Sequence, residues 1–178
     1  VQQRKQEAIN QLRAGIAALM KTNKIAVYSG TGTIVDRCHV SVRSESGEPV
    51  LLETDHILIA TGSVPACPPI PGADLPGVVT SDGLLDKQDM FGHLIIIGGG
   101  VIGMEFASIY SSLGHPVTVI EALDRILPGM DKEIAQNLKM ILKKRGTDIH
   151  TGARVEAGDW PAGSWRRTRH GRLRLTAS

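Results

Sequence analysis

The sequence predicts an α/β protein: a parallel β-α-β-α-β unit preceded by a helix and a small antiparallel β-meander. Three observations predict it. From Leu94 onward, apolar strand-like runs alternate with helical periodicity, the pattern of a parallel sheet with crossover helices. Ahead of that, short β-branched runs are separated by Gly, Ser and Asp turns. Between the two, Pro65, Pro68, Pro69 and Pro71 forbid helix and central strand and mark a stiff connector.

The elements follow in order. Residues 3–22 form an amphipathic helix, because Ala8, Ile9, Leu12, Ile16, Leu19 and Met20 recur at three- and four-residue intervals. Lys21 and Lys24 suit the negative end of its dipole. Residues 25–28, 33–35, 39–42 and 50–53 are strand-like runs, with a hairpin-like turn at 44–47. An apolar run at 56–60 stops at Thr61-Gly62-Ser63. Residues 94–97 read as a strand buried on both faces, since all four are aliphatic. Residues 101–113 are helical and end at Gly114-His115-Pro116, and 117–120 is the next strand. Residues 131–144 form the second helix, with Ile134, Leu138, Ile141 and Leu142 expected on its inward face and Arg145-Gly146 as its stop. A third strand starts at 148–151.

Beyond about Ala157 neither periodicity continues. Residues 158–178 hold both tryptophans and Arg166, Arg167, Arg169, Arg172 and Arg174 against a single Asp159. The small net charge of +2 therefore belongs to this tail and gives no argument for nucleic-acid binding by the folded part. A loosely attached basic tail foreign to the fold, such as a shifted reading frame produces, is expected here. Over the whole chain, 3% aromatics and 20 glycines favour an α/β protein with nucleotide loops over an aromatic-rich sandwich. No apolar run reaches the length of a membrane span, so no membrane contact is expected. Cys38 and Cys67 do not form a CxxC motif and read as free thiols in a cytoplasmic setting. No metal site is expected, for want of a paired His/Cys cluster. His39, His115 and His150 read as ordinary surface or satisfied histidines.

Chemistry is carried by Gly98-Gly99-Gly100-Val101-Ile102-Gly103, which fits GxGxxG. Its context is specific: strand before, helix after, and an acid, Glu121, closing the next strand. In such a half-Rossmann unit Gly98 allows the tight turn, Gly100 leaves room for a pyrophosphate, and Gly103 lets helix and strand pack closely. The helix N-terminus offers free N–H groups and a positive dipole end to phosphate. Glu121 lies about eighteen residues past Gly103, where a carboxylate accepts the ribose hydroxyls of NAD and repels the 2′-phosphate of NADP. Arg125, four residues on, reads as a solvated charge.

Three motifs in order resemble the pyridine nucleotide–disulfide oxidoreductases: Ile57-Leu58-Ile59-Ala60-Thr61-Gly62-Ser63-Val64-Pro65, the GxGxxG run continued to Met104-Glu105, and Val117-Thr118-Val119-Ile120-Glu121. Within that family, Asp124-Arg125-Ile126-Leu127-Pro128-Gly129-Met130-Asp131 is most similar to its dihydrolipoamide dehydrogenase members. The resemblance covers roughly 1–157. It implies an enzyme that uses FAD and NAD, passes hydride between them, and exchanges electrons with a dithiol or disulfide. By that resemblance 1–63 is the middle part of a split FAD-binding domain, 64–92 a Pro-rich connector, 93–157 the first half of an NAD-binding domain, and 158–178 the basic tail. Gly32, Thr61, Gly62 and Ser63 match FAD-contacting positions, and Glu105 matches an acid near nicotinamide and flavin. The resemblance also implies a homodimer. The family's FAD-binding GxGxxG, its redox-active CxxxxC, the distal half of the NAD domain and the His-Glu acid/base pair have no match in these residues, so no catalytic residue is assigned and the isolated chain is expected to be inactive. Other family members, namely NADH oxidase, mercuric reductase and transhydrogenase types, and a stand-alone nucleotide-binding module remain alternative readings.

Overall fold

A computed structural model describes residues 2–45, 47–158, 164–167 and 173–176, the last strands by their backbone. The chain divides into two units, Val1–Val64 and Pro65–Ser178.

The first unit opens with α1, Gln2–Thr22, unbroken at Gly15. Its apolar stripe stays uncovered, with Leu12, Ile16 and Leu19 all more than half exposed. The meander follows as β1, Thr31–Ile34; β2, His39–Arg43; and β3, Val50–Glu53, in the order β1-β2-β3. Both pairings are antiparallel. The β1–β2 turn is tied by Val35 N–H donating to His39 O at 2.9 Å and Cys38 N–H donating to Asp36 Oδ1 at 2.9 Å. The strand-like runs at 25–28 and 56–60 differ from expectation, since neither is a strand. A strand exists only where its backbone groups pair with a neighbouring strand, and among the described residues these runs have no strand beside them; Ile25 N–H instead donates to Met20 O at 2.9 Å. Their side chains remain outside, Leu58 at 90% and Val27 at 69% exposure.

The second unit holds the core. Inside the proline-rich stretch lies a short helix not foreseen from sequence, α2, Ser81–Asp86, capped by Thr80, whose hydroxyl accepts the Gly83 N–H. Then come β4, Leu94–Ile97; α3, Val101–Ser112; β5, Val117–Ile120; α4, Lys132–Lys144; and β6, Asp148–His150. The sheet is parallel in the order β4-β5-β6, with Leu94 opposite Val117 and Ile120 opposite His150. This is the predicted α/β arrangement. Left-handed Gly114 and Gly146, just past the two long helices, turn the chain back toward the sheet.

Two burial expectations are corrected. β5, not β4, is the strand buried throughout, because β5 is central and β4 lies at the edge of the described sheet; Ile97 is 47% exposed. On α4 the inward face is Ala135, Leu138 and Leu142, whereas Ile134 and Ile141 face outward. The main core gathers Leu94, Met104, Ala107, Tyr110, Val119 and Leu142 between sheet and helices.

A further sheet joins β7, Val155–Gly158; β8, Ser164–Arg167; and β9, Leu173–Thr176, in the order β7-β9-β8. This differs from the unpatterned tail expected from sequence. The alternation Leu173-Arg174-Leu175 has a strand period, hidden there by the density of arginine. The remainder of the tail expectation falls on 159–163, 168–172 and 177–178, outside the described residues.

Candidate functional site

The loop from β4 to α3 brings Gly98, Gly99, Gly100, Gly103 and Glu121 together. Gly98 has φ +114°, a conformation costly for any residue with a Cβ, and its N–H donates to Ile120 O at 2.9 Å. Gly103, on the first turn of α3, lies against the backbone of the strand end: a Cβ there would sit 2.3 Å from Gly98 O and 3.1 Å from Ile96 Cγ2. Only glycine permits that approach. Gly100 is the opposite case. It is the N-cap of α3, has extended backbone, and a Cβ on it would meet nothing within 4 Å. No side chain caps α3, so its first N–H groups are left for an outside acceptor. Val101 and Ile102 are exposed at this end, as is Glu105 one turn along the helix.

Glu121 does more than sequence reasoning assigned to it. It is only 8% exposed. Its Oε2 accepts the Gly99 N–H at 2.5 Å and its Oε1 accepts the Leu123 N–H at 2.7 Å. A carboxylate has about four acceptor positions, so capacity for ribose hydroxyls remains beside this bracing role. The strap 121–127 then folds back over the loop. Leu127 N–H donates to Gly99 O at 2.8 Å, and Ile126 Cγ2 lies where a Gly99 Cβ would come within 3.1 Å. Leu127 itself is left-handed, φ +48°, a costly conformation for a residue with a Cβ and one found often at binding loops. Arg125 is not simply solvated: Nη2 donates to Pro128 O at 2.6 Å and Nη1 is buried with no hydrogen-bond partner among the described residues.

The other expected positions lie in the first unit. Gly32 is within β1, paired with Val42. Thr61, Gly62 and Ser63 are exposed in an irregular stretch, with Gly62 at φ +74°. At the β1–β2 turn the Cys38 N–H and then His39 stabilise the Asp36 carboxylate, lowering its pKa to about 2, while that carboxylate raises the Cys38 thiol above its usual value.

A parallel β-α-β with an uncapped, glycine-floored helix N-terminus and an acid closing the second strand is the arrangement on which dinucleotide-binding domains are built. Residues 1–163 match the pyridine nucleotide-disulphide oxidoreductase family, and the chain belongs to it. It is 43% identical over 165 residues to a dihydrolipoyl dehydrogenase of Bacillus subtilis, covering 87% of this chain and 34% of that protein. It is 42% identical to the dihydrolipoyl dehydrogenase of Acholeplasma laidlawii, covering 88% and 46%. Among solved structures it is similar to the HOCl-induced flavoprotein disulfide reductase RclA of Escherichia coli, with TM-score 0.75, 36% identity, and coverage of 88% of this chain and 35% of that one. It is also similar to LpdA of Mycobacterium tuberculosis, with TM-score 0.83, 28% identity, and coverage of 98% and 40%. The chain thus spans between a third and a half of the length of these relatives. Dihydrolipoyl dehydrogenase-type members of the family use FAD and NAD(H). Among the described residues no helix is long and apolar enough to cross a membrane.

Proposed function

We propose that this chain supplies the adenosine half of an NAD(H) site and part of an FAD site to an oxidoreductase of dihydrolipoyl dehydrogenase type. When bound, nicotinamide and flavin supply hydride exchange, with electrons passing to or from a dithiol or disulfide. The residues divide the work of holding NAD(H). Gly98, Gly100 and Gly103 let the pyrophosphate reach the backbone N–H groups of Val101 and Ile102. Gly99 and Glu121 fix the loop, and Glu121 selects a ribose with a free 2′-hydroxyl. Glu105, exposed on α3, would be the acid that the family keeps near nicotinamide and flavin. Gly32 and Thr61-Gly62-Ser63 contact FAD. The domain division of 1–63, 64–92, 93–157 and 158–178 belongs to the same reading. So do a homodimeric whole enzyme and a cytoplasmic location, the latter supported by the free thiols of Cys38 and Cys67.

The observation that carries the reading is the contrast between Gly103, where a Cβ would collide with Gly98 O at 2.3 Å, and Gly100, where it would meet nothing within 4 Å. At this uncapped helix start packing leaves open the space that a pyrophosphate would fill, and a Cβ on Gly100 would point into it. Gly100→Ala tests it. Fluorescence titration with NADH should show at least tenfold weaker binding, with the thermal transition within a few degrees of the parent. Unchanged affinity would remove the pyrophosphate from this loop.

A further inference from the structure

We propose that the β1–β2 turn is a zinc site, with Asp36, Cys38 and His39 as three protein ligands and the fourth position open to solvent. The sequence marks it weakly, since it holds no paired His/Cys cluster. Here all three fall within the four residues of one turn, and their ligating atoms converge within 4.8 Å of one another.

The geometry carries the proposal. Cys38 Sγ lies 3.4 Å from Asp36 Oδ1 and 3.5 Å from His39 Nδ1, and Nδ1 lies 2.9 Å from each Asp36 oxygen. Tetrahedral zinc with Zn–S near 2.3 Å and Zn–N or Zn–O near 2.1 Å has ligand–ligand edges of about 3.4–3.6 Å. Both sulfur edges already have that length. The nitrogen–oxygen edge must open by about 0.5 Å, an adjustment an exposed carboxylate makes by torsion. The donors are also held in place. Cys38 O accepts the Thr54 N–H at 2.8 Å, His39 O accepts the Val35 N–H at 2.9 Å, and Cys38 N–H is bound to Asp36. The backbone of the turn is therefore anchored to the residues that directly follow β3 and β1, and ordering it costs the ion little. Cys38 and His39 are half-buried and Asp36 is exposed, so entry is open on the carboxylate side.

One thiolate, one imidazole and one carboxylate form the borderline set that zinc takes, whereas magnesium and calcium prefer oxygen donors. Binding forms a Zn–S bond and sends the thiol proton to solvent, with no change of oxidation state. The turn's own hydrogen bonds order it: the Cys38 N–H and the imidazole hold Asp36 at 2.9 Å, and the Cys38 thiol makes a longer contact to the same carboxylate at 3.4 Å.

Cobalt(II) is the probe, because its thiolate complexes absorb in the near ultraviolet. Titrating the full chain should yield a thiolate-to-cobalt band saturating at one equivalent and bleached by added zinc. Cys67→Ser should keep the band and Cys38→Ser should lose it. Asp36→Asn and His39→Ala should each weaken binding by roughly tenfold or more. In the unaltered chain, zinc should slow alkylation of Cys38 by iodoacetamide and leave Cys67 unaffected, as read by peptide mass. No band at saturating cobalt, a band surviving Cys38→Ser, or Cys38 alkylated equally fast with zinc would overturn the proposal.

Discussion

Glu121 and Gly103 show how one loop serves packing and recognition together. Replacing Glu121 with Ala removes the acceptors of the Gly99 and Leu123 N–H groups, each a charge-assisted bond. A loss of roughly 1.5–3 kcal/mol of stability is expected in urea denaturation. Affinity for NADH should fall by more than affinity for NADPH, because repulsion of the 2′-phosphate goes with the carboxylate. Parallel loss for both cofactors in fluorescence titrations would leave Glu121 as a loop brace alone. Gly103→Ala should behave unlike Gly100→Ala. A methyl group forced against Gly98 O costs about 1–3 kcal/mol and displaces α3 from β4, so its thermal midpoint should fall even without ligand. The glycine spacing was readable in the sequence. The bracing bonds of Glu121 were not, since they depend on how residues 121–127 return across the loop.

Elements were legible where local pattern and tertiary partner agree. β4, α3, β5 and β6 came directly from the sequence because strand, loop and helix signals follow one another within a single β-α-β-α-β. The inward face of α4 was misjudged because Ile134 and Ile141 are as apolar as Leu138 and Leu142, and periodicity alone does not choose between adjacent stripes. The distinction is measurable. Leu142, fully buried, should cost about 2–5 kcal/mol when truncated to Ala. Ile141→Ala, on an exposed side chain, should stay within about 0.5 kcal/mol. α2 was hidden by its six-residue length and its proline-rich surroundings. The runs at 25–28 and 56–60 have strand composition, but composition does not supply a neighbour.

At the scale of the molecule the two units differ in how they are held. The second has a core under β5, with Val119 and Leu142 at 0% exposure, whereas α1 buries no residue. Hydrogen exchange should therefore be slowest across Val117–Ile120 and fast along α1, where opening exposes almost no new apolar surface. Activity follows the same division. The adenosine half of an NAD site is present, but hydride transfer needs two rings in contact, and misplacement by about an ångström costs on the order of a hundredfold in rate. A polypeptide of these residues alone should give no NADH-dependent reduction of lipoamide in a stopped-flow assay; a yellow preparation that oxidises NADH would contradict the division of labour proposed above.

The bare run at 56–60 also bears on how this polypeptide is handled. Leu58 and Ile59, at 90% and 69% exposure, sit in an apolar stretch whose backbone joins no sheet among the described residues. Such a segment recruits its own kind: copies align edge to edge, and the product is an insoluble cross-β deposit. Production at high concentration should drive the chain into inclusion bodies, seeded from this stretch. A gatekeeper charge, Ile59→Lys, should interrupt that stacking and raise the recovered soluble yield while leaving the urea midpoint of the β4–β6 unit where it was.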